Sequence, residues 1–213
     1  TSYHANNMLW MYDGALHRFG TVPVGAETTG LAIAKDGTLF FNAQHPSGTN
    51  PWPYNRGLIG VVNGFKATDE FTEISVPEGA GQRRTMVAAG EYQILARVGE
   101  AIPNDYRNTR FGEIVRPDGS RDSICNQPDA NMFVPTVDDS SEGYLYTNFE
   151  CDPAAVSSLY IRNNGATWEV VEGVNVDTSG VNGLWTLCGG NVTSWNTALT
   201  AEEHEPIASN TGP

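Results

Sequence analysis

Apolar and polar residues alternate with a period of two along much of the chain, and helical spacing is almost absent. "GLAIAKDGTLFFNAQ" (30–44) alternates around Asp36-Gly37, a pair that favours the tight turn of a β-hairpin. "FGEIVRPDGSRDSI" (111–124) repeats the design around Pro117-Asp118-Gly119, and "SSLYIRNNGATWEVVEG" (157–173) around Asn163-Asn164-Gly165. "EYQILARVGE" and "GYLYTNFE" each predict a single strand between these hairpins. The expected class is therefore all-β.

Two all-β architectures compete. A sandwich wants short turns at regular intervals, whereas "HPSGTNPWPYNRG" (45–57) and "VPTVDDSSEG" (134–143) predict long loops. A β-propeller displays such loops around its channel, and hairpins beginning about 40 to 80 residues apart suit four-stranded blades. The expectation is a single β-propeller-like domain over residues 1–213, forming an incomplete ring or part of a larger propeller. Its open sheet edges would then invite pairing with another chain.

Composition narrows the function classes. With 25 Asp and Glu against 12 Lys and Arg, the net charge is −13, which repels nucleic acid. No apolar run is long enough to span a bilayer. Cys125, Cys151 and Cys188 form no CxxC pair, so a zinc knuckle is not expected, and an odd count allows one disulfide with one thiol left over. Asn191-Val192-Thr193 is a glycosylation sequon. Together these features predict a secreted, extracellular or periplasmic location. No basic-then-apolar leader opens the chain, so Thr1 is expected to follow a cleavage.

Polar groups that end strongly apolar strands are the candidate chemistry. Glu27 precedes one strand, and Asn42, Gln44 and His45 end the next, with alternation sending His45 to the opposite face from Gln44. Asn148, Glu150 and Asp152 end a third, and "TAEEHEP" supplies Glu202, Glu203 and Glu205 with no Lys or Arg beside them. Carboxylates and amide carbonyls are the ligands of calcium, which takes six to eight oxygens. The plainer readings are a solvated surface run for Glu202-Glu203, a hairpin cap for Gln44 and His45, and a solvated turn for "VDDSSEG". Trp52 and Tyr54, in the Pro-rich loop, would suit a sugar-binding surface or a core equally.

Three of these stretches together resemble the PhoX-type alkaline phosphatases. "GAETTGLAIAKDGTLFFNAQHPS" (25–47) is similar to that family's Glu-x-Thr-Gly strand, Asp-Gly hairpin and Gln-His-Pro ending. "GYLYTNFECDPAAVSSLYI" (143–161) resembles its Asn-His-Glu segment, and "LCGGNVTSWNTALTAEEHEP" (187–206) its glycine-rich, Trp-containing run ending in Glu-Glu. The resemblance implies a propeller with a mixed iron and calcium cluster and a phosphoric ester hydrolase activity. It implies Glu27, Glu150, Glu202 and Glu203 as metal ligands, with Glu202 and Glu203 catalytic, and Asn148, Gln44 and His45 as further candidates. Ala201 stands where the family has its iron-binding cysteine and Phe149 where it has His, so calcium is the expected metal and iron is doubtful. The segments also occur in an unusual order, as expected for a different blade order or a piece of a longer protein. The alternative is a non-catalytic, calcium-stabilised surface or filament subunit on the same scaffold.

Overall fold

The computed structural model describes residues 5–204, and the chain reverses where its turn residues dictate. Strands β1 (Met8–Tyr12) and β2 (Leu16–Thr21) precede β3 (Glu27–Ile33), β4 (Leu39–Gln44) and β5 (Leu58–Asn63). Strands β6 (Met86–Val87), β7 (Glu91–Arg97), β8 (Glu113–Val115) and β9 (Arg121–Ile124) follow. The remaining ones are β10 (Pro128–Pro135), β11 (Glu142–Phe149), β12 (Ala155–Asn163), β13 (Trp168–Asn175), β14 (Leu187–Val192) and β15 (Ala198–Glu202). All three predicted hairpins form, as β3–β4, β8–β9 and β12–β13. At the first, Asp36 accepts hydrogen bonds from the Thr38 amide and hydroxyl, both at 3.0 Å, while Gly37 takes the positive φ the turn requires.

Two antiparallel four-stranded sheets carry the fold, in the orders β3-β4-β5-β7 and β10-β11-β12-β13. A three-stranded sheet, β1-β2-β6, covers the outer face of the first, and the two-stranded β14–β15 lies against the second. The architecture is thus all-β, a stack of small antiparallel sheets. No closed ring forms among the described residues.

The first four-stranded sheet is a middle layer, which explains why "LFFNAQ" is buried along its whole length. Phe40 points into one core with Ile59, Phe133, Leu145, Phe149 and Trp168. Leu39 and Phe41 point the other way, into a second core with Leu9, Phe19, Val62 and Phe65. Burying each of these large side chains is worth about 1.5–3 kcal/mol. The Cys125–Cys151 disulfide ties the approach to β10 to the end of β11, leaving Cys188 as the half-buried free thiol.

The leading strands β3, β10 and β14 lie side by side and run in the same sense. Their N-terminal ends meet around Asp129, and their C-terminal halves line one cavity of about 590 Å³. Between those ends sits a buried polar junction. Asn42 donates to the Asp129 carbonyl, and Asn131 donates to Asn42 Oδ1 at 2.7 Å and to the Gly30 carbonyl at 3.0 Å. Thr147 donates to Asn131 Oδ1 at 2.8 Å. Gly30 is required here. Its φ is +61°, and an added Cβ would lie 2.5 Å from the Asp129 carbonyl oxygen.

Candidate functional site

Each leading strand starts beside a carboxylate or a thiol. Glu27 opens β3, Asp129 is the second residue of β10, and Cys188 the second of β14. Glu150 follows β11 directly, and Glu203 follows β15. These five groups act on one another electrostatically, so the fold brings together residues far apart in sequence.

A neutral or weakly basic donor orients each of the three strand-borne carboxylates. Gln44 Nε2 donates to Glu150 at 2.5 Å, the His45 ring lies 3.4 Å from Glu27, and the Cys188 thiol donates to Asp129. Glu203 lies close enough to Glu150 to act on its carboxyl. Among the described residues, none of the four carboxylates forms an ion pair with Lys or Arg; their ionic partners are His45 and His204.

The electrostatic cost shows in the titration of the inner members. Burial, followed by the charges of Glu27 and Glu203, holds the Asp129 carboxyl above its ordinary value, with the Cys188 hydrogen bond pulling the other way. Burial also raises the Glu150 carboxyl; the Gln44 bond lowers it, while Glu203 and Asp129 raise it further. Burial together with Asp129 pushes the Cys188 thiol up to about 11, so it stays protonated at neutral pH.

These shifts predict a pH dependence. A carboxyl whose folded value is raised stabilises the fold below its unfolded value, and that contribution is lost as pH rises through the folded value. The ordinary values are 3.8 for Asp and 4.5 for Glu, so the loss sets in above them. Glu150→Gln keeps an acceptor for Gln44 and removes the charge. Melting the variant and the parent protein across about pH 4 to 7 should show the variant losing less stability as pH rises. Parallel curves would mean that Glu150 is not under this strain.

The sequence-predicted residues divide as follows. Glu27, Gln44, His45, Glu150 and Glu203 join the cluster. Alternation was expected to separate His45 from Gln44, yet both reach it. Strand β4 ends at Gln44, and His45 takes φ +38°, which swings its ring back to Glu27 and leaves Nδ1 3.3 Å from the Gly25 carbonyl. Glu202 lies outside the cluster, its carboxylate accepting the Trp185 amide at 2.9 Å. Neighbours on a strand face opposite sides, which is how Glu202 and Glu203 avoid each other.

Asn148 donates to the Gly189 carbonyl at 2.9 Å, next to Cys188, while its Oδ1 is buried without a partner. Asp152 instead accepts from Thr186, and Glu205 lies outside the described residues. Asp138 and Asp139 form a solvated turn in which Asp139 caps the Ser141 amide at 2.9 Å. Trp52 is exposed in its loop.

Asp129 and Cys188 are the members that sequence reasoning missed. The signal for Asp129 was its place at the head of an apolar run, matching Glu27 at the head of β3. In kind, these oxygen donors fit a hard cation. In spacing, no three of the carboxylate, imidazole or thiol groups converge on one point among the described residues. Closure around an ion requires rotation of Glu27 and Glu203, whose side chains are 61% and 50% exposed. Comparison with protein-family models, curated proteins and solved structures gives no match for this chain.

Proposed function

We propose that the chain binds calcium at the mouth formed by Glu27, Asp129, Glu150 and Glu203, and that it acts in this form as an extracellular phosphoric ester hydrolase. One observation supports this reading above the others. Carboxylates from four separate segments lie within electrostatic reach of one another at one end of the leading strands, and among the described residues none is paired to Lys or Arg. Repulsion of that kind is relieved by a bound cation. The side-by-side leading strands are also what the inner strands of propeller blades would look like, in keeping with a partial ring.

Calcium at this mouth would polarise a phosphoryl oxygen and the attacking water. The chain's own residues supply position. Gln44, His45 and the Cys188 thiol fix the carboxylates, and Glu150 and Glu203 would hold the ion and the attacking water in place. The exposure of Glu27 and Glu203 favours a second reading, a calcium-stiffened subunit without catalysis. Cysteine-bound iron is not part of the proposal, because Ala201 offers no ligand where the resembling family has its cysteine.

A site that must rotate its ligands into place should bind weakly, with Kd on the order of 10⁻⁴ to 10⁻³ M. At 10 mM calcium the fold should then gain about 1.4 kcal/mol for a Kd near 1 mM. Calorimetric titration and thermal melts measure this, alongside hydrolysis of an aryl phosphate with and without calcium. Turnover that needs calcium and disappears in Glu150→Gln/Glu203→Gln supports the hydrolase. Binding without turnover favours the subunit. No heat and no melting shift at 10 mM removes both readings.

A further inference from the structure

At the side of the stack away from the acidic mouth, an open cleft of about 590 Å³ lies between β1 and the C-terminal half of β3. Leu31 and Ile33 form its floor and Trp10 and Tyr12 stand on its β1 side. Their exposures are 56% and 57% for the floor, and 43% and 76% for the rings. Single exposed apolar residues are ordinary, but four around one cleft point to an interaction site.

Three further features say what would fit. Asp13, Asp69 and Glu70 are exposed along the rim. An aromatic ring here already faces a cation, since the Arg18 guanidinium lies 5.3 Å from the centre of the Trp10 ring. Among the described residues, strand β1 is the terminal strand of its sheet and pairs only with β2, which leaves the main-chain donors and acceptors of its other edge without a described partner. An acidic rim, the exposed Tyr12 ring and a strand edge free among the described residues select for one kind of occupant. A second copy of this acidic chain would meet the rim with like charge.

We propose that this cleft takes an extended, basic segment of a partner protein, which adds as a strand to the free edge of β1. Alternate side chains of the segment rest on Leu31 and Ile33, and its Lys or Arg side chains reach Tyr12 and the Asp13, Asp69 and Glu70 carboxylates. The proposal is independent of the calcium mouth and survives its failure.

The test uses the full chain and a dye-labelled decapeptide alternating lysine and valine, followed by fluorescence anisotropy at low and physiological salt. A peptide alternating glutamate and valine is the control. The lysine peptide should bind at least about 10-fold tighter than the glutamate one. Asp13→Asn/Asp69→Asn/Glu70→Gln should weaken it by a similar factor, and Tyr12→Ala should weaken it as well.

Asp118→Asn/Asp139→Asn/Asp177→Asn, which removes the same charge from turns elsewhere, should leave it unchanged. Equal loss in that distant variant would show attraction to overall charge only and overturn the proposal. So would failure of the lysine peptide to bind, or equal binding of the glutamate peptide. A dimer of the free chain that the rim variant dissolves would assign the cleft to a second copy and overturn it too.

Discussion

Phe40→Ala is expected to destabilise the protein by about 3–5 kcal/mol, the range for emptying a fully buried aromatic site. Phe40 has no exposed surface and joins the two four-stranded sheets. Its ring stacks on Phe133 with centroids 5.0 Å apart and meets Trp168 edge-on at 5.7 Å. The cavity cannot collapse easily, because its walls belong to two sheets held by their own hydrogen-bond ladders. Urea unfolding should show a lower midpoint with little change in slope. Trp52→Ala, on an exposed loop residue, should move the midpoint by no more than about 0.5 kcal/mol. A loss below about 1 kcal/mol for Phe40→Ala would mean that the two sheets do not share this core.

Removing the disulfide should cost nearly as much. Cys125 and Cys151 are separated by 26 positions, and closing a loop of that size restrains the unfolded chain by about 3.5 kcal/mol in the chain-entropy picture. Cys125 also lies within the larger core, and Cys151 packs against it. Cys125→Ala/Cys151→Ala keeps both sites apolar, so its loss of stability reports the cross-link. For a chain of about 200 residues this corresponds to a fall in Tm of roughly 7–14 °C. A Tm that does not respond either to this variant or to a reducing agent would show that the bond is absent in solution.

Turn chemistry made much of the fold legible in the sequence. Asp36-Gly37, Asp118-Gly119 and Asn163-Asn164-Gly165 each supply a side-chain cap and a residue able to take positive φ. The hairpins they close are local structures that need no knowledge of the rest. Asp13-Gly14 carries the same signal and closes β1–β2. Less legible was the stacking order, because a strand buried on both faces, such as β4, loses the alternation that reveals which side is inward.

The candidate site followed the same logic. Glu27, Gln44, His45, Glu150 and Glu203 stand at strand ends beside conspicuous apolar runs, where a pattern can mark them. Asp129 also heads an apolar run, but it follows a proline and is a single acid among neutral residues, so the signal is faint. Cys188 stands out in the sequence as one of three cysteines and as part of the glycine-rich run, neither of which points to Asp129. Its contact with Asp129 is a product of sheet stacking, a distance between strands that no short motif encodes.

The amide junction of Asn42, Asn131 and Thr147 acts as a latch on sliding. Shifting one sheet along the other by a single pleat would strand several of these groups without partners, at about 1–3 kcal/mol each. Any adjustment to a ligand at the carboxylate mouth therefore falls to side-chain rotation, while the strand offsets beneath it stay put.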